Sequence, residues 1–210
     1  MKIDITHLAS EPGLTLTFIE NNFSDSAPLV REVFIKGLSP EKGNAAVALG
    51  ACLLAAEHVG DVIELPFAVP VPFIEAIRLI CPQSSSIGPA LGNNRSIATG
   101  NIDVAARRAT RSPIFLPPEN TVQALVEWHG DFVSITPNHI DSREFAFGSV
   151  FTNANLIAAE PVVDLTMALL AHGTRLRTVH IPSMAQMPDH AFAARIESAL
   201  DIVGIGLLSA

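Results

Sequence analysis

The feature that most limits the fold of this chain is a run of twelve apolar residues, Ala45 to Ala56, most of them small. Ser39-Pro40-Glu41 precede the run with a capping hydroxyl, a proline suited to the first helical position and an acid for the first turn. We therefore predict a helix that runs to about Val59 and stops at Gly60. Because its side chains are small almost all round, this helix can approach a sheet or another helix closely. The run is too short to span a membrane, which needs about 20 apolar residues.

Alternating apolar and polar residues dominate the first 36 positions, which is the period of a strand with one buried face. Three such segments are separated by turn-forming residues at Glu11-Pro12-Gly13 and Asn21-Asn22. This arrangement predicts an antiparallel meander at the N-terminus.

The last third alternates between helix and strand patterns at short spacing. We predict a helix over Pro161–His172, a strand over Arg175–Ile181, a helix from Pro188 to Gly204 and a strand over Ile205–Leu208. The whole chain is thus expected to be α+β: a mixed sheet with an antiparallel N-terminal meander, a βαβ-like C-terminal layer and helices packed on the sheet. We predict a single domain over residues 1–210.

The middle of the chain is less regular. We predict a helix between Pro72 and Pro82, a short helix over Ile102–Arg108, and a hairpin in which Val122–Trp128 pairs with Phe132–Thr136. A helix that ends at Gly130 is the alternative for the first arm of the hairpin. The sequence shows no internal repeat, and a subdomain division, if present, falls within residues 83–118.

Composition excludes several classes of function. The net charge of -8 argues against binding to duplex nucleic acid, and a hydrophobic content of 49% excludes a disordered chain. No secretory signal is visible, and Cys52 and Cys81 lie in apolar runs, so we expect a cytoplasmic protein with buried free thiols. Charged residues make up only 16%, which favours a homo-oligomer that hides apolar surface in an interface.

The segment from Gln83 to Pro118 is rich in Ser, Gly, Asn and Pro and carries a local excess of positive charge. Its only acid is Asp103, against four arginines: Arg95, Arg107, Arg108 and Arg111. Guanidinium groups bind carboxylate and phosphate oxygens in pairs, and Ser85 and Asn94 are candidate donors beside them. We predict that this segment binds a small anion. The alternative is that the arginines pair with acids elsewhere or are solvated.

A second polar cluster follows Pro137, where His139 and Asp141 lie two positions apart. A histidine beside a carboxylate is suited to general base catalysis, so these two residues are the predicted catalytic pair. The alternative is a solvated turn, because Asn, Asp and Ser are common after proline in turns.

Three histidines of the last third, His172, His180 and His190, and the run Thr152–Asn155 are weaker candidates. His180 ends a predicted strand and His190 begins a predicted helix, and these two kinds of terminus meet at the ligand edge of an α/β layer. The sequence has no ligand spacing typical of a metal site and identifies no cofactor. It favours a protein that binds or acts on a small phosphate- or carboxylate-bearing metabolite. The alternative is a non-catalytic homo-oligomeric subunit or accessory protein.

Overall fold

The computed structural model describes residues 1–91 apart from 22, 23, 27, 29 and 39, the strand backbones at 102–108, 121–129 and 132–138, and residues 150–208. The side chains of these residues are described except in the strands at 102–108, 121–129 and 132–138 and at residues 150 and 151. Four α-helices are present in this part of the chain: α1 Ala45–Ala55, α2 Val71–Ile80, α3 Glu160–His172 and α4 His190–Ile202.

The described strands number eleven and follow the chain in this order: β1 Lys2–His7, β2 Gly13–Ile19, β3 Glu32–Lys36, β4 Val62–Pro70, β5 Ser86–Leu91, β6 Ile102–Arg108, β7 Thr121–His129, β8 Phe132–Asn138, β9 Val150–Thr152, β10 Leu176–His180 and β11 Gly206–Leu208.

These strands hydrogen-bond in one continuous mixed order, β11-β10-β6-β7-β8-β9-β3-β2-β1-β4-β5. Antiparallel pairing joins β1, β2 and β3, and parallel pairing joins β10 to β11 around α4. The helices pack against the sheet, with α2 on β5 and α4 on β11. The predicted α+β class, its N-terminal meander and its βαβ-like C-terminal layer are therefore confirmed.

Strand register divides the sheet into two faces of different character, because successive residues of a strand alternate between faces and paired residues share one. The core face carries buried apolar side chains, such as Ile3 paired with Phe18 and Leu14 paired with Ile35. The outer face carries polar residues, such as Asp4 paired with Thr17. We use the names core face and outer face for these two sides throughout.

Helix α1 is buried on every side within the single chain. All eleven of its residues are buried, and it contacts α3, α2 and β4. The surface of this helix is covered by its own fold, so α1 presents no exposed face to a subunit interface. Its small side chains instead permit close helix packing inside the core, and the oligomeric state of the protein stays a prediction.

The two halves of the chain have the same topology, a repeat that the sequence did not reveal. In the first half a three-strand meander, β1–β3, is followed by α1, β4, α2 and β5. In the second half the meander β7–β9 is followed by α3, β10, α4 and β11. Within the described residues, strand β6 has no counterpart in the first half, since β1 pairs directly with β4 whereas β6 lies between β7 and β10.

Residue numbers and contacts relate the two halves by an approximate twofold axis. Thr166 lies 116 positions after Gly50 and donates a hydrogen bond from its hydroxyl to the Gly50 carbonyl at 3.4 Å, where α1 crosses α3. The same spacing relates β3 to β9, whose pairs Ile35–Thr152 and Lys36–Phe151 exchange under it. A twofold axis therefore passes between β3 and β9 and through the helix crossing.

Two local predictions are wrong. Residues 102–108 form strand β6 instead of a helix, because β7 and β10 hydrogen-bond to it from both sides. Helix α1 begins at Ala45 instead of near Pro40, because the Asn44 side chain accepts a hydrogen bond from the Ala46 amide at 2.9 Å and caps the helix there. The hairpin of β7 and β8 is confirmed. No helix in the described ranges is long and apolar enough to cross a membrane.

Candidate functional site on the outer face

Strand register places four hydrogen-bonding residues around Ala105 on the outer face of the second half. Ala105 of β6 pairs with His180 of β10 on one side and with Gln123 of β7 on the other. Asp103 and Arg107 lie two positions before and after Ala105, so they share its face. Neighbouring strands are about 4.8 Å apart, and the Cα atoms of residues two positions apart on one strand are separated by about 6.6 Å. The Cα atoms of Asp103 and Arg107 are therefore each about 8 Å from the Cα atom of His180.

The face on which these residues lie follows from their neighbours. Val179 is fully buried and pairs with Val104 of β6, so Val104 belongs to the core face. Ala105, the next residue along the strand, belongs to the outer face together with its partner His180. We call the set Asp103, Ala105, Arg107, Gln123 and His180 the β6 cluster.

His180 is buried although it lies on the outer face, with 6% of its surface exposed. Its counterpart in the first half, 116 positions earlier, is Glu64 of β4, which is exposed. The histidine is located at the carboxyl end of β10, and β6, β7 and β11 run parallel to that strand. Ligands of α/β sheets bind at the carboxyl ends of parallel strands.

Two of the four predicted arginines lie on the backbone of β6, and the other two lie outside the described residues. Arg107 and Arg108 are consecutive residues of β6, so Arg107 lies on the outer face and Arg108 on the core face. Arg95 and Arg111 lie outside the described residues, as does Asn94.

The predicted catalytic pair, His139 and Asp141, also lies outside the described residues. Asn138 pairs with Gln123, so the strand that leads to His139 ends beside the β6 cluster. The pair stays a prediction.

Ser85 has a local role at the start of β5. Its hydroxyl donates a hydrogen bond to the Asp61 carbonyl at 3.2 Å, and its amide donates to the same oxygen at 2.9 Å. Strand β5 is the last strand of the hydrogen-bonded order, in the half of the sheet that does not contain β6. The structure therefore gives Ser85 a contact with the loop before β4. Its predicted role as a ligand donor stays a prediction.

The Thr152–Asn155 run joins the two halves of the sheet. The Asn153 side chain accepts a hydrogen bond from the Phe34 amide at 3.0 Å and donates one to the Glu32 carbonyl at 3.1 Å. The Thr152 hydroxyl accepts a hydrogen bond from the Ala154 amide at 3.1 Å. Asn153 thus connects the start of the second-half helices to β3, and the Thr152 hydroxyl forms a local turn contact.

The other two candidate histidines of the last third, His172 and His190, are not members of the β6 cluster. His172 ends α3 and lines a cavity of about 50 Å³ beside Asn44 and Arg175, where the N-terminus of α1 meets the C-terminus of α3. His190 begins α4 and is exposed. Among the described residues no group of three or more His, Cys, Asp and Glu side chains is arranged to hold a metal ion.

Sequence reasoning named Arg107 as a candidate and gave His180 little weight, and it passed over Asp103 and Gln123 as ligand groups. The signal for the cluster was the alternation of Asp103, Ala105 and Arg107 with Ile102, Val104 and Ala106, which has the period of a strand.

The described residues define an α+β protein whose two halves have the same topology apart from strand β6. No family model, no curated protein and no solved structure matches this chain.

Proposed function

We propose that this protein binds a small anionic metabolite on the outer face of its second half, at the β6 cluster. The observation that carries the proposal is the register that brings Arg107 and the buried His180 to the same face of neighbouring parallel strands. A guanidinium group offers two parallel N–H donors that match a carboxylate or a phosphate. An imidazole beside it supplies a further hydrogen bond and suits proton transfer.

The position of β6 in the repeat supports this assignment. Because β6 is present in only one of the two similar halves, the outer face of the second half differs from that of the first half at this strand. In the first half, the exposed Glu64 of β4 pairs with Lys2 of β1, and Lys2 pairs with Ile19 of β2. The first half therefore has a carboxylate at the position where the second half has His180, so an anion is favoured only in the second half.

Two further arginines that the sequence predicts as anion-binding residues lie close to β6 along the chain. Arg111 follows the end of β6 by three positions, and Arg95 precedes its start by seven. We propose that they add to the positive potential over the β6 cluster, since the 83–118 segment contains a single acid.

The alternative of a non-catalytic homo-oligomeric subunit gains no exposed interface from α1, because this helix is buried within the chain. The low charge content also has an explanation inside the fold: α3, like α1, is buried over almost its whole length. Binding of an anion at the β6 cluster is therefore the function that we favour.

A thermal-shift screen with inorganic phosphate, sugar phosphates, nucleotides and small carboxylates tests the proposal. A ligand at 100 times its Kd stabilises the folded state by about 2.7 kcal/mol, which corresponds to a Tm rise of about 5–10 °C for a chain of this size. We expect at least one anion to give such a shift, and Arg107→Gln to abolish it.

The matched control is Arg78→Gln, which removes one positive charge from an exposed position of α2 in the other half. This variant should keep the full ligand-induced shift. If no anion stabilises the protein, or if both variants lose the shift equally, the proposal is wrong.

A further inference from the structure

A cavity of about 330 Å³ lies in the first half of the sheet, where β2 ends and β3 begins. It is lined by residues of these two strands and of the segments that adjoin them: Thr17, Phe18, Ile19, Glu20, Arg31 and Glu32. Glu32 pairs with Thr17, so both side chains lie on the outer face, and Ile19, two positions after Thr17, shares that face. Small-molecule sites in proteins have volumes of about 300–1,000 Å³, so this cavity suits a small ligand.

The charged groups around this cavity are paired with one another, with the exception of Glu32. The Arg31 guanidinium contacts the Glu20 carboxylate at 3.2 Å, and on the neighbouring strand β1 the Lys2 ammonium contacts the Asp4 carboxylate at 3.1 Å. Glu32 is exposed, and its carboxylate forms no ion pair or hydrogen bond with another residue in the part of the chain that the structure describes. The cavity therefore carries one negative charge that its described surroundings do not neutralise.

A hydroxyl group and an exposed apolar side chain lie beside this carboxylate. The Cβ atoms of paired residues on antiparallel strands are about 4.5–5.5 Å apart, so the Thr17 hydroxyl is within reach of a group bound at Glu32. The Ile19 side chain is 41% exposed. An ammonium group has three N–H donors and no acceptor, so carboxylate and hydroxyl oxygens suit it. An alkyl chain attached to that group would remove apolar surface of Ile19 from water.

We infer that this cavity binds a small primary alkylammonium ion, with the ammonium group at Glu32 and Thr17 and the alkyl chain on Ile19. An anion is disfavoured, because Glu32 repels it and the one cation of the lining, Arg31, already contacts Glu20. The inference is independent of the proposed function, since it concerns the half of the sheet that does not contain β6.

NMR titration of the wild-type protein with three probes of similar size and different charge tests the inference: 1-butylamine in its protonated form, 1-butanol and butyrate. We expect butylammonium to shift the backbone amide signals of Thr17 and Ile19. Exposed ion pairs are weak, so butylammonium should bind about threefold more tightly than butanol, and butyrate should not bind. This preference should fall as sodium chloride is added, because salt screens exposed charges.

Two variants and a matched control assign the binding to the cavity. Glu32→Gln should remove the preference for butylammonium over butanol, and Ile19→Ser should weaken the binding of both compounds. The control Glu64→Gln removes an exposed acid of the same half that does not line the cavity, so it should keep the full preference. The unfolding temperature of each variant shows whether it is folded.

Several outcomes would overturn the inference. Butylammonium might leave the Thr17 and Ile19 signals unchanged, or bind no more tightly than butanol; either result shows that the cavity does not select a cation. A preference that is independent of salt, or that survives in folded Glu32→Gln, shows that Glu32 is not the partner of the ammonium group. A lysine side chain carries the same group, so tighter binding of Nα-acetyl-lysine amide than of butylamine would assign the cavity to a peptide and contradict a small-molecule site.

Discussion

The two cysteines show that burial is the largest influence on the pKa of a thiol in the core of this protein. Burial in the apolar core raises the pKa of the Cys81 thiol to about 12, and the nearby Arg195 guanidinium, which lowers it, does not offset this effect. Burial also raises the pKa of Cys52 well above its ordinary value, and the neighbouring Cys81 adds to the rise. Both residues are free and buried, as the apolar sequence context predicts.

We predict that neither thiol reacts with a thiol reagent at pH 8 while the protein is folded. The thiolate is the reactive species, and a pKa of about 12 leaves only about one Cys81 thiol in ten thousand ionised at that pH. Absorbance after addition of a disulfide reagent measures the reaction, with denatured protein as the control that should give two thiols per chain. Reaction of either cysteine within seconds in the native protein would contradict the burial of these thiols.

At the level of the elements, the crossing of α1 over α3 depends on the absence of a side chain at residue 50. A Cβ atom at this position would lie 3.1 Å from Cγ2 of Thr166. This contact is tighter than ordinary van der Waals packing, and both residues are fully enclosed. The crossing lies on the approximate twofold axis, so neither helix can move without disturbing both halves.

We predict that Gly50→Ala destabilises the protein by about 1–2 kcal/mol, because the overpacking cost exceeds the gain in helix propensity. In a Thr166→Ser background the Cγ2 atom is gone and the hydroxyl is kept, so the same substitution should be neutral or stabilising. Urea unfolding of the four proteins of this double-mutant cycle measures the coupling. An equal penalty in both backgrounds would show that the helices do not meet at these two residues.

The elements also show where sequence reasoning succeeds. The period-two alternation of β1–β3 and the apolar stripe of α4 are local patterns, and both predict the observed structure because burial on one side causes them. Residues 102–108 were predicted as a helix, and alanine and arginine do favour helices locally. Pairing on both sides with β7 and β10 overrides that preference, and no local pattern reports such pairing.

At the level of the whole molecule, the repeat was not visible in the sequence. At corresponding core positions the two halves share mainly apolar character and only some identical residues. Leu49 and Leu165 are identical, as are Leu53 and Leu169, but Ala48 corresponds to Asp164 and Glu64 to His180. Packing requires only apolar residues of suitable size at most buried positions, so sequence similarity is lost while topology persists. The β6 cluster was hidden for a related reason, since its residues come from three strands that are distant in sequence or were assigned incorrectly.

The repeat gives the molecule one cluster of this kind within the described residues, on the strand that lacks a counterpart. The two halves otherwise match in element order, in the pairing of β3 with β9 and in the contact of Gly50 with Thr166. This difference between similar halves underlies the central claim of the proposed function, which is that a ligand binds at Arg107 and His180 together, on the outer face of the second half.

Histidine side-chain NMR during titration with the best ligand of the anion screen tests that claim most directly. We predict that the imidazole signals of His180, assigned with His180→Gln, shift as the ligand binds. The His58 signals in the first half should stay in place, and Arg107→Gln should abolish the shift of His180. A ligand that binds the protein while the His180 signals remain unchanged would contradict the account.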